Sequence, residues 1–365
     1  MVQMASERSA PDFAKVAAWD AIDQSAGSAP LARQWAYLKA IGFGTLADPI
    51  AAMEHRLARA DADDQMAMAE IGLIHQMAGD TNAGRRWLDK AEALGSIHAL
   101  AALCRMAIID ETVSAHIKAR SSRLAQAQHP FADILSKGLV DLPVCEHAAK
   151  PPKRTNSGAL VTALLSPSGA SANLSQAPRI AGFEQIVPVE VAEYLAAGSM
   201  PFLQPASIFD PGAGQTIQDP YRRSLVATLP ESAMDIVLWA VKWKMAWMAD
   251  CTYEQGEPLT VLVYRPGDEY KAHFDFLVED GAIASADLAA RGQRIATSLI
   301  KIVDTHVGGE TIFPRLSLSW NGRSGDGVAF DNVDNGGAGD PKTLHHGAKV
   351  TEGLKILTSL WLRER

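Results

Sequence analysis

Residues 256–276 read GEPLTVLVYRPGDEYKAHFDF, and the fold of the second half of the chain turns on how this run is parsed. PLTVLVY is a short β-rich stretch closed by turn residues, and YKAHFDF follows it as another extended run. Side chains at i and i+2 of a strand point to one face, so His273 and Asp275 can present an imidazole and a carboxylate to a single point. A wet strand face would also explain an isolated His-x-Asp, and the surrounding sequence has to decide.

Working outward, PRIAGFEQIV, RRSLVATL, RIATSLIKIV, GVAFDN and KILTSLWL are further short β-rich runs bounded by turn residues. Two helical stretches, PVEVAEYLAA and ESAMDIVLWAVKWKMAWM, sit among the early strands. Short strands that are mostly not separated by helices predict an antiparallel double sheet of the jelly-roll kind.

Upstream the texture differs. Residues 12–148 are rich in Ala, Leu, Met and Arg, with apolar residues at helical spacing in MAEIGLIHQM and RRWLDKAEALG. AMAEIG, with Ala67 four before Ile71, returns as ALAALC, with Ala99 four before Leu103, a helix-turn-helix period of thirty-two residues. A non-repeating helical bundle is the plainer alternative. Between these halves, AKPPKRTNSG and SPSGASANLSQAP mark a connector. The expected class is therefore α+β and multidomain: a helical hairpin array over residues 1–148, a linker over 149–177 and a double-stranded β-helix with flanking helices over 178–365.

A net charge of −8 argues against a general nucleic-acid or anionic-membrane surface and for small-molecule or protein partners. The N-terminus MVQMASERSAPDF lacks the pattern of a secretion signal and no run approaches a membrane span, so the cytoplasm is the expected compartment. Cys104, Cys145 and Cys251 are too few and too scattered for a disulfide framework or a cysteine zinc site.

A third ligand from a distant strand, His345 or His346 of TLHHGAKV, would complete with His273 and Asp275 the two-histidine, one-carboxylate facial set associated with non-haem Fe(II) oxygenases. An iron site that takes 2-oxoglutarate also needs a cation for the far carboxylate, and Lys355, ten residues after His345, is suitably placed.

Taken in order, YRRS (221–224), residues 256–276, GQRIATSLIKI (292–302), GGETIFP (308–314), GDGVAF (325–330) and LHHGAKVTEGLK (344–355) resemble the catalytic domain of the prolyl 4-hydroxylase family of Fe(II)/2-oxoglutarate dioxygenases. The resemblance covers roughly half the chain, from about 178 to 365. It implies His273, Asp275 and His345 as iron ligands, His345 being preferred because Leu344 and Gly347 fit Leu-His-x-Gly. It implies Lys355, Tyr264 and Thr311 around 2-oxoglutarate, Trp361 as a wall of that pocket, and Arg222, Ser224, Glu257, Tyr270 and Arg294 near the substrate. O2 is the co-oxidant and ascorbate a reductant on this resemblance. FDPGAGQTIQDP (209–220) falls where the family has a mobile flap. Lys301, Lys349 and Arg363 depart from the family pattern, where an aromatic, a proline and a histidine are usual, without touching a ligand.

The implied function is hydroxylation of prolyl or other residues of a peptide or protein, with succinate and CO2 as coproducts. A free amino acid or a small biosynthetic intermediate is the alternative substrate. Ala69, Gly79, Ala83, Trp87, Ala91 and Gly95 resemble Sel-type tetratricopeptide-like repeats, which implies a peptide- or protein-binding helical surface. A helical scaffold carrying a non-catalytic oxygenase-like module predicts loss of one of His273, Asp275, His345 or Lys355, and all four are present. A zinc hydrolase would leave Lys355, Tyr264 and Thr311 without a role, and the presence of Asp275 disfavours a halogenase.

Overall fold

The computed structural model describes residues 29–43, 46–146, 155–166, 169, 171–210, 215–218, 221–278 and 281–365. The chain divides into two compact units, 1–167 with 231–240, and 168–230 with 241–365. Among the described residues no helix is long and apolar enough to cross a membrane.

In the first unit five helices follow one another: α1 (Ala29–Ile41), α2 (Pro49–Asp61), α3 (Gln65–Met77), α4 (Thr81–Ala93) and α5 (Ile97–Ile109). Asp48, Asp64, Asp80 and Ser96 cap the last four, a spacing of sixteen each time, and every cap accepts from backbone N–H groups of the first turn. Each such cap is worth about 1 kcal/mol and fixes where a helix begins. Every residue of α3 from Ala67 to Met77 is buried, as expected of a helix apolar on most of its circumference that packs against α2 on one side and α4 on the other. Shorter helices, Ala115–Arg120, Ser122–Gln126 and Ala132–Leu139, complete this run.

Regular structure also enters the stretch read from sequence as a linker. Helix Ser157–Leu164 forms on the apolar ALVTALL, with the Asn156 side chain accepting from Ala159 N at 2.8 Å. SANLSQ, 171–176, is a strand despite its polar composition, because it pairs antiparallel with Arg179–Phe183.

The second unit is built on strands β1 (Ser171–Gln176), β2 (Arg179–Phe183), β3 (Gln204–Pro205), β4 (Leu225–Thr228), β5 (Thr260–Tyr264), β6 (Tyr270–His273), β7 (Arg294–Val303), β8 (Thr311–Phe313), β9 (Leu318–Trp320), β10 (Gly327–Asp331), β11 (His345–Gly347) and β12 (Lys355–Arg363). The major sheet runs β1-β2-β10-β7-β12-β5-β4-β3 and the minor sheet β6-β11-β8-β9. All of their pairings are antiparallel. Leu262, Leu299, Val328, Phe330 and Leu357 of the major sheet share one core with Phe313 and Trp320 of the minor sheet, the two-layer arrangement of a jelly roll.

Both faces of β7 and β12 are buried, which explains why they read as near-continuous apolar runs rather than alternating ones. Thr297 and Leu299 face the interior between the sheets, while Ser298 faces the other way and donates to Met245 O at 2.7 Å. The glycine-rich stretch 209–220 lies partly outside the described residues; its described flanks, Ser207–Asp210 and Gln215–Gln218, pair as an antiparallel hairpin.

Candidate active site

His273 ends β6 and His345 begins β11, and the two stand directly opposite in the antiparallel register. Asp275 follows two residues later, just beyond the strand end. His273 Nε2 lies 3.6 Å from one oxygen of Asp275 and His345 Nε2 lies 3.7 Å from the other. Candidate ligand atoms of all three fall within 4.8 Å of one another, the one such cluster among the described residues.

The opposite ring nitrogens are already engaged. His273 Nδ1 donates to Lys271 O at 2.8 Å and His345 Nδ1 to Thr343 O at 3.0 Å, in each case the carbonyl two residues before. A ring that donates through Nδ1 presents its other nitrogen, and both Nε2 atoms face Asp275. Burial and the neighbouring His345 push His273 down to about 4, which keeps it neutral at physiological pH. Burial acts to raise Asp275, but His345, His273, Thr297 and Arg294 together outweigh it and hold the carboxyl below its usual range. Two imidazole acceptors and one carboxylate are the donor set that suits a divalent iron with open positions.

The rings are held by packing. Phe330 stands edge-on to His345 with centroids 4.9 Å apart, and Phe313 lies 5.4 Å away on another side. Tyr270 stacks on His273 at 3.5 Å and 18°, and the Arg222 guanidinium lies 5.1 Å from the centre of the Tyr270 ring.

The pocket continues from the triad toward Lys355, the first residue of β12, paired with Tyr264 of β5. Lys355 is 2% exposed, and its amine lies 4.9 Å over the Tyr264 ring. Among the described residues no carboxylate lies within ion-pairing distance of it. Burial, reinforced by nearby Lys301, pushes Lys355 down to about 7. Burial likewise raises the Tyr264 phenol, which keeps its proton at neutral pH. Gly308 and Gly309 have φ near +73° and +74°; a Cβ on Gly308 would meet Lys349 O at 2.3 Å, and one on Gly309 would meet Lys355 Cδ at 3.1 Å. The two glycines thus let the backbone pass beside Lys355 and bring Thr311 into the same pocket.

Of the residues singled out in the sequence, the pocket gathers Tyr264, Tyr270, Thr311, Lys355 and Trp361 around the triad. Arg222, Ser224, Glu257 and Arg294 do not line it. Glu257 accepts two hydrogen bonds of 2.8 Å from Arg294 and one of 3.2 Å from Arg363, which also bonds Asp287 at 2.9 Å. Arg294 lies 4.4 Å over Trp361, so this network braces the pocket's wall from outside. Ser224 is buried and receives the Ala206 N–H on its carbonyl. His346 pairs with Ile312 and stays outside the triad. Sequence reasoning passed over Leu262, Leu299, Leu357 and Ser359, which also line the pocket; the inward alternation of 355, 357, 359 and 361 on β12 is the signal that finds the last two.

No family model matches the chain. It is 30% identical over 207 residues to prolyl 4-hydroxylase 1 of Arabidopsis thaliana, covering 53% of this chain and 71% of that protein. It is 32% identical over 188 residues to prolyl 4-hydroxylase subunit alpha-1 of Rattus norvegicus, covering 52% of this chain but 35% of that subunit. Among solved structures it resembles the viral collagen prolyl hydroxylase of Paramecium Bursaria Chlorella virus-1 in complex with 2OG, with 21% identity, a TM-score of 0.38, and 50% and 95% of the two chains covered. On the extent of its match to the Arabidopsis relative, this chain belongs to the prolyl 4-hydroxylase family.

Proposed function

We propose that the chain is an Fe(II)- and 2-oxoglutarate-dependent hydroxylase acting on prolyl residues of a peptide or protein. The observation that carries the reading is the pairing, in one pocket, of a His-Asp-His donor set with a buried lysine that no carboxylate among the described residues reaches. When bound, iron and 2-oxoglutarate supply the activation of O2 and insertion of an oxygen atom into a C–H bond, with succinate and CO2 as coproducts.

His273, Asp275 and His345 serve as the metal ligands, three donors that leave the rest of the coordination sphere to co-substrate and O2. Lys355 offers an ammonium to the far carboxylate of 2-oxoglutarate, with the Tyr264 and Thr311 hydroxyls as neutral donors beside it. Leu262, Leu299 and Leu357 exclude water from the space between, and Trp361 walls the side held by Arg294. Tyr270 backs His273 and Arg222 backs Tyr270 in turn, beside the mouth proposed for substrate; Glu257 and Arg294 act on substrate through the position of that wall.

Two relatives are named as prolyl hydroxylases, which favours a prolyl target over a free amino acid. The sixteen-residue recurrence of caps and helices supports a tetratricopeptide-like array in the first unit, a fitting surface for the peptide that carries the target. The test is anaerobic titration of apo-protein with Fe(II) and then 2-oxoglutarate, read by the visible charge-transfer band of an iron-bound keto acid. The band is expected in the wild type and absent in His273→Ala; metal binding without the band in the wild type sinks the co-substrate reading. Mass spectrometry of proline-containing peptides after aerobic turnover then reads the target as a gain of one oxygen atom.

A further inference from the structure

Asp275 is held by a second pair of buried polar residues that the motifs do not include. Thr297 Oγ1 donates to Asp275 Oδ2 at 2.7 Å, and Asn332 Nδ2 donates to Thr297 Oγ1 at 2.9 Å. Thr297 and Asn332 are 0% exposed, so bulk water does not compete for either bond. A hydroxyl has one proton to give. That proton points at Asp275 Oδ2, so the oxygen of Thr297 is left to accept and the Asn332 amide turns its NH2 toward it. The Asn332 backbone is pinned on both sides, its N–H donating to Ile295 O at 2.8 Å and its main-chain carbonyl accepting from Asp340 N at 3.0 Å, which fixes the point from which the side chain reaches Thr297.

We infer that the Asn332-to-Thr297 relay is the positioning device for the Asp275 ligand: it fixes which carboxylate oxygen stays turned toward the ion and lowers the cost of ordering that side chain when metal binds. One oxygen of Asp275, Oδ2, is loaded by the threonine proton, which leaves Oδ1, 3.6 Å from His273 Nε2, as the freer donor. Thr297 lies on β7, the strand paired to both β10 and β12, and Asn332 follows directly on β10, so the major sheet itself aims a ligand that stands in a loop beyond the minor sheet. Outer partners of this kind typically contribute about 10- to 100-fold to metal affinity.

The inference rests on the metal reading of the triad, and one titration separates the two. Apo-protein is titrated with Mn(II), with affinity followed by calorimetry and the apo melting temperature recorded for each variant. Thr297→Val, of the same shape without the hydroxyl, is expected to weaken Mn(II) binding roughly 10- to 100-fold, while Thr297→Ser stays within about threefold because the proton is restored. Asn332→Asp replaces the donor by an acceptor that competes for the threonine proton, and is expected to weaken binding with Thr297 still in place. The double variant should lose no more than the worse single one, because both act through one hydrogen.

If wild type fails to bind Mn(II), the metal reading itself falls. If wild type binds and both Thr297→Val and Asn332→Asp bind equally well, the relay is a fold-stabilising contact and the inference is overturned. Variants that lower only the apo melting temperature, with Mn(II) affinity intact, overturn it in the same way, and if one of the two does not fold the other decides.

Discussion

Two buried charges, one in each unit of this protein, are handled in opposite ways. In the helical unit Glu70 is fully buried, yet it accepts from Arg56 and from Arg33 at 2.8 Å each, and Arg33 continues to Asp235. Burial raises Glu70 to about 6 against the pull of its two arginines, and each of these charges is answered by a neighbour within the unit. In the sheet unit Lys355 is 2% exposed, and among the described residues no carboxylate within reach answers it. A buried charge with its counter-charge in the fold is architecture; a buried charge without one marks the place of a ligand.

The contrast can be broken most severely at the triad. His345→Ala and Asp275→Ala are expected to drop 2-oxoglutarate turnover, measured as succinate formed, to background, because the donor set then has two members. Lys355→Ala should spare metal binding but raise the 2-oxoglutarate KM roughly 10- to 150-fold, the loss of a charge-assisted bond worth about 1.5–3 kcal/mol. Glu70→Gln should do the converse, destabilising the helical unit by roughly 3 kcal/mol in denaturant titration with the KM unchanged. A KM effect at Glu70, or none at Lys355, would erase the distinction.

Acidity sharpens it further. Folding lowers Lys355 from its ordinary 10.5 to about 7, so the unfolded chain holds more protons between those values. Its contribution to the stability of the apo-protein is present above 10.5 and is lost as pH falls through about 7. Glu70 is raised from 4.5 to about 6, so its contribution is present below 4.5 and is lost as pH rises through about 6. With Lys355 proposed to hold the far carboxylate of 2-oxoglutarate as an ammonium, co-substrate affinity should weaken above about pH 7, by at most about tenfold per unit. The smallest effect is expected for His346→Ala, within about twofold in succinate assays; a large loss there would mean that His346, not His345, is the ligand.

How far all this can be read from the chain alone varies with the distance between partners. His-x-Asp is legible as a motif, although Asp275 stands just beyond the end of β6 and strand periodicity does not itself aim its carboxylate; the helical half is legible because thirteen-residue helices recur at regular intervals with an apolar face. Residues 171–176 carry almost no apolar signal, and only the partner strand makes them a strand. Thr297 and Asn332 are thirty-five residues apart and look like any polar residues in a β-rich run; burial and a chain of two hydrogen bonds ending on Asp275 give them meaning, and neither leaves a local trace. Glu257 and Arg294 are each legible as charged residues near the site, whereas their engagement with one another and with Arg363 is a fact of register.

The direct opposition of His273 and His345 across β6 and β11 has a consequence for how the chain reaches its native alignment. A slip of β11 by one residue would turn His345 outward and swing His346 in, against both of its partner strands. Phe313 and Phe330 act as a molecular dowel there: they clasp the inward ring of His345 and so admit one alignment and reject its neighbour.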